Sequence, residues 1–129
     1  MSGPKLTPRQ LTQITVLETL PPRFATIHRM IEEMASLKAD EAMVRRLCRL
    51  LEESKAATSG IGLSGLSDTL GMMGSLARRT GGLQMRVRGL REGLGSLKIN
   101  FDGAWRSATT PEQEPNASSP PGGQSAGPT

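Results

Sequence analysis

The amino-acid sequence predicts an all-α protein: a small bundle of four to five short helices followed by a disordered C-terminal tail. Three observations carry this. The chain of 129 residues contains two Phe, one Trp and no Tyr, so Leu, Met, Ile and Val must build the core. Leu and Met favour helices, and the β-branched and aromatic runs that strands prefer are scarce. Apolar residues also recur at three- and four-residue intervals in several successive segments. The length suits one domain.

The elements follow in order. Residues 1–5 carry no apolar periodicity and are expected to be a disordered N-terminus. Thr7-Pro8 is a helix-start signal, with Thr7 as N-cap and proline in the first turn. Leu11, Ile14, Leu17 and Leu20 form a short stripe that Pro21-Pro22 should end, because proline offers no amide and disfavours helical geometry in the residue before it. Pro22 can open a second helix, with Phe24, Ile27, Ile31 and Met34 on one face, fading near Lys38. Asp40 is a good N-cap for a third helix, whose stripe is Met43, Val44, Leu47, Leu50 and Leu51. The small, glycine-rich stretch 54–65 reads as a connection. A fourth helix is expected up to Arg79, with Leu66, Leu70, Met73 and Ala77 inward and Gly81-Gly82 as its stop.

The last helix has the cleanest pattern. Leu83, Val87, Leu90, Leu94, Leu97 and Phe101 alternate by four and three residues, as in a coiled-coil seam. Gly89, Gly93 and Gly95 lie within it, and each costs about 1 kcal/mol relative to Ala. A compensating close neighbour is needed. Gly82, Gly89, Gly93, Ser96, Asn100 and Gly103 form a small-residue stripe beside the seam, which either helix four or a helix of another chain could fill. A third alternative is that the glycines split the segment in two. The bundle domain is placed at about 6–107. Residues 108–129 are Pro/Ser/Gly-rich without a large apolar side chain and are expected to be a disordered tail.

Charge and chemistry narrow the function. The formal net charge is +4, with Arg dominant and the tail carrying only Glu112 and Glu114. The basic-surface candidates are Arg78, Arg79, Arg86, Arg88 and Arg91. Stacking aromatics are not interleaved with them, which weakens a single-strand nucleic-acid reading. His28, the sole histidine, is followed by Arg29-Met30-Ile31-Glu32 and lacks the Leu-Lys-Gly pattern of phosphotransfer histidines. It also has no neighbouring residues at metal-ligand spacing. Cys48 is the single cysteine, expected to be a buried thiol, with no base beside it for nucleophilic catalysis. Gly60-x-Gly62-x-x-Gly65 imitates a dinucleotide fingerprint but follows a predicted helix rather than a strand. Thr7-Pro8, Thr110-Pro111 and Ser119-Pro120 are short dipeptides that proline-directed kinases accept, and Asn116-Ala117-Ser118 matches a glycosylation sequon.

No catalytic, cofactor-binding or metal site is therefore expected, and no transmembrane segment or leader. The single cysteine fits the nucleus or cytoplasm. The expected function is a non-catalytic helical protein-interaction subunit or adaptor of a larger multiprotein assembly. Its interface candidates are the seam Leu83, Val87, Leu90, Leu94, Leu97 and Phe101 with Gly89 and Gly93. The Arg cluster would steer towards an acidic protein partner. The alternative is a basic helical nucleic-acid-associated protein. Partner identity and oligomeric state are left open.

Overall fold

The computed structural model describes residues 5–36, 40–79 and 82–112. Five helical pieces follow one another: α1 (Pro8–Leu17), α2 (Leu20–Ala35), α3 (Glu41–Thr58), α4 (Ser64–Arg78) and α5 (Leu83–Thr109). No strand occurs among the described residues. The expected disordered segments fall mostly on 1–4 and 113–129, outside the described residues, as do Lys38 and Gly81.

Helix α1 begins as its sequence dictates. The Thr7 hydroxyl accepts from the Gln10 amide at 3.0 Å, and the Gln10 carboxamide accepts from the Thr7 amide at 2.9 Å, closing a reciprocal capping box. The prolines act as expected, but α1 ends three residues before Leu20 and α2 opens two before Pro22. Pro21 and Pro22 cannot donate backward, so α1 ends at Leu17, where the Thr19 hydroxyl donates to the Val16 carbonyl at 2.7 Å. Leu20 then opens α2, with both prolines in its first turn, where missing amides cost nothing. Asp40 caps α3, its Oδ1 accepting from the Met43 amide at 2.8 Å.

Two further boundaries differ from the sequence expectation, the ends of α3 and α5. Helix α3 does not stop near Glu53 but runs to Thr58, and the connection to α4 is only Ser59–Leu63. Ser54 and Thr58 are fully buried, and their hydroxyls bond back to the Leu50 and Ser54 carbonyls. They continue the inward face of α3 beyond Leu47 and Leu51, and Arg23 of α2 donates to the Ser54 hydroxyl at 3.4 Å. The turn itself needs Gly60 and Gly62, at φ +80° and +86°, a left-handed conformation that a side chain would strain. Helix α5 is the one long helix that the seam over 83–101 predicts: it spans 27 residues, and its glycines do not split it. Its end also lies beyond 107, since Ala108 continues the seam and is fully buried, and Thr110 is the C-cap.

The helices form an up-and-down bundle. Along the α4–α5 pair, Met73 lies at Gly93, Leu76 at Gly89 and Gly65 at Asn100, an antiparallel register. Helix α2 also runs antiparallel to α5, with Glu32 at Arg91 and Phe24 at Phe101, and α1 extends this contact to Ser107. The two pieces α1 and α2 thus line the length of α5 that one long helix would. Adjacent pairs α2–α3, α3–α4, α4–α5 and α5–α2 enclose one core. Leu17, Leu20, Ile27, Ile31, Leu47, Leu51, Leu66, Leu70, Met73, Leu90 and Leu97 are sealed within it. No described helix is long and apolar enough to cross a membrane.

Candidate functional site: an aromatic groove between α2 and α5

The seam proposed as a partner interface faces inward. Val87, Leu90, Leu94 and Leu97 are buried in the core, and Leu83 and Phe101 pack half-buried against it. Gly89 and Gly93 admit the fourth helix: a Cβ at Gly93 would lie 2.6 Å from Met73 Cγ, and one at Gly89 would lie 2.9 Å from Leu76 Cδ1. The neighbour that the glycines require is therefore α4 of the same chain. These eight residues hold the bundle together and present little surface.

The Arg cluster is dispersed and largely engaged. Arg91 grips Glu32 through two hydrogen bonds, at 2.7 and 2.9 Å, and this fork holds the Glu32 carboxyl below its usual range. Arg78 pairs with Glu52 of α3, and Arg88 approaches Glu92 at 4.0 Å. Arg86 turns inward, its Nη2 donating to the Ala77 carbonyl at 2.6 Å, so it satisfies the C-terminal turn of α4. Arg79 lies exposed just beyond that turn. No continuous basic stripe results.

The remaining chemistry-bearing groups are separate. His28 is exposed on α2, 3.9 Å from Glu32. Cys48 lies half-buried on α3 as a free thiol, and burial pushes its pKa up despite the positive charge of Arg78 nearby. No group of three or more His, Cys, Asp or Glu able to hold a metal occurs among the described residues.

What the sequence did not reveal is the convergence of all three aromatic residues. Phe24 of α2 meets Phe101 of α5 edge-to-face, with ring centroids 5.9 Å apart. Trp105, one turn further along α5, stacks on Phe101 at 6.2 Å. Phe24 and Phe101 floor an open groove of about 470 Å³ between α2 and α5. Pro21 and Ala25 form one wall, and Lys98 and Asp102 lie along the other, with His28 at one end. Trp105 is 37% exposed; it does not line the groove and adjoins it through its stacking on Phe101. The groove has an apolar floor, a mixed-charge rim and an amphipathic indole beside it. That combination accommodates an apolar side chain and offers polar groups to orient its backbone. Phe24 and Phe101 are distant in sequence, so only the pairing of α2 with α5 exposes the site.

No protein-family model, no curated protein and no solved structure matches the chain.

Proposed function

We propose that the protein is a non-catalytic helical interaction subunit of a larger nuclear or cytosolic assembly, and that it binds its partner through the α2–α5 groove. The carrying observation is the convergence of Phe24, Phe101 and Trp105, the chain's only Phe and Trp residues, with Phe24 and Phe101 lining an open groove. Aromatic side chains dominate interface energetics, and tryptophan is enriched among hot-spot residues. The occupant is an apolar side chain on a helical segment of the partner. It would seat against Phe24 and Phe101, with Lys98 and Asp102 setting its register. The single free cysteine accords with a reducing compartment.

This differs from an interface made by the seam, which is consumed in the core. It also leaves the basic residues with a secondary role, because Arg78, Arg86 and Arg91 are held by groups of their own chain.

The decisive experiment replaces Ala25 with Arg. Ala25 is exposed at the groove wall, so the variant should keep its helical circular dichroism while blocking the floor. Affinity purification with mass spectrometry identifies the partner bound by the wild type. A titration with that purified partner then follows Trp105, the only tryptophan, whose emission should shift to the blue on binding. Ala25→Arg should weaken binding at least about tenfold, the loss of one hot spot. Undiminished binding by a folded Ala25→Arg variant would refute the proposal.

A further inference from the structure

The outward face of α5 carries a second feature, independent of the groove. Gly89 and Gly93 are occupied by α4, but a Cβ at Gly95 or Gly103 would meet nothing within 4 Å. Glycine in an exposed helix interior weakens the helix, and no contact of this chain among the described residues accounts for it at these two positions. Between them, four residues from each, stands Ile99, 74% exposed. Four-residue steps keep Gly95, Ile99 and Gly103 along one outward strip. Continuing the strip, Glu92 lies seven residues before Ile99 and Arg106 seven residues after, both exposed.

This order is its own complement when reversed. A two-fold axis through Ile99 brings Gly95 of one copy against Gly103 of the other, and Glu92 against Arg106. A parallel pairing would instead oppose Glu92 to Glu92 and Arg106 to Arg106. The one contact that engages Glu92 within the chain, to Arg88 at 4.0 Å, is long and exposed and does not tie it down.

We propose that a second copy of this chain docks antiparallel on the outward face of α5. The two Ile99 side chains meet at the axis, flanked by Gly95 and Gly103 of both copies, and two Glu92–Arg106 ion pairs fix the register. The absent side chains at the two glycines let the helices approach closely around the isoleucine. A single helix crossing falls below the roughly 1,200 Å² of a standard interface, so the dimer is weak and concentration-dependent. Gly95, Ile99 and Gly103 do not line the α2–α5 groove, and the dimer does not rest on that groove's assignment.

Sedimentation equilibrium of the full chain, from micromolar concentration to about 1 mM, tests this. The expected result is a monomer–dimer equilibrium that weakens with added salt. Ile99→Asp should abolish it while leaving the circular dichroism intact, because Ile99 makes little contact within its own chain. Glu92→Arg and Arg106→Glu should each weaken the dimer about tenfold, and the double swap should recover most of that loss. Ala25→Arg should leave it unchanged. A single monomeric species throughout would overturn the proposal, including the case in which the strip serves a different protein. So would a dimer that survives Ile99→Asp or fails to recover in the charge swap.

Discussion

Substituting alanine at two neighbouring glycines of α5 should have opposite effects. Gly95 is open on all sides, so Gly95→Ala adds only helix propensity, about 1 kcal/mol in favour of folding. Gly93→Ala brings the same gain, but its methyl carbon would lie 2.6 Å from Met73 Cγ and 3.1 Å from its sulfur. Met73 is fully buried and Cγ lies near its own backbone, so the side chain cannot simply swing away. Overpacking of this kind costs about 1–3 kcal/mol, leaving Gly93→Ala between neutral and about 2 kcal/mol destabilised. The two variants should therefore differ by about 1–3 kcal/mol, the second being the less stable. Urea titration followed by circular dichroism, at protein concentrations too low for association, measures both. In thermal melts each kcal/mol corresponds to a shift of about 4–8 °C for a domain of this size. If Gly93→Ala proved as stable as Gly95→Ala, the close approach of α4 to α5 at Met73 would be wrong. The account of why the seam tolerates glycine would then fail with it.

Three further outcomes follow from single contacts. The Gln10 carboxamide is buried and donates to the carbonyls of Ser107 at 3.1 Å and Thr110 at 2.6 Å. Gln10→Ala should cost about 1–3 kcal/mol and speed hydrogen exchange in the last turn of α5, as measured by mass spectrometry. The hydrogen bonds from Arg91 lower the Glu32 pKa, so the native state releases that proton more readily than the unfolded chain. Its stabilisation is present above the ordinary carboxylate pKa and fades as pH falls through the carboxylate range. Glu32→Gln should accordingly flatten the acid limb of the stability profile in denaturant titrations at several pH values. Cys48 has its pKa raised chiefly by burial, so it stays a thiol where an exposed cysteine would ionise. Iodoacetamide should label it more slowly in the folded chain than in urea, and stability should decline as pH rises through the normal thiol range.

The architecture was legible wherever the sequence carried a local signal. Thr7-Pro8, Pro21-Pro22 and Asp40 each mark a helix boundary within three residues, because caps and prolines act on the backbone beside them. The errors lie where small residues have two meanings. Ser54 to Thr58 look like a connection, yet they continue α3, since small side chains suit both turns and close helix contacts. Gly89 and Gly93 were legible as needing a neighbour, but their distance from Met73 and Leu76 decides which one. The tail was started too early because Ala108 is neither large nor conspicuous, although it lies on the seam. The aromatic groove had no local signal at all. Phe24 reads as a core residue of α2 and Trp105 as a lone residue near a tail, and only the antiparallel pairing of α2 with α5 brings them together. Pairing likewise explains the Arg residues: Glu32 and Glu52 come from other helices, so a cluster counted along α5 overstates the charge available to a partner.

The bond from Gln10 to Thr110 has a topological consequence. It places the start of α1 and the end of α5 side by side, and Gln13 fastens the α3–α4 turn to the same end by donating to the Ile61 carbonyl at 2.7 Å. Whatever precedes Thr7 and whatever follows Thr110 must leave from one pole. The opposite pole is where α2 gives way to α3 and α4 to α5. The same proximity makes the chain a candidate for circular permutation, with Thr7 and Thr110 joined by a short linker and new ends opened between α4 and α5.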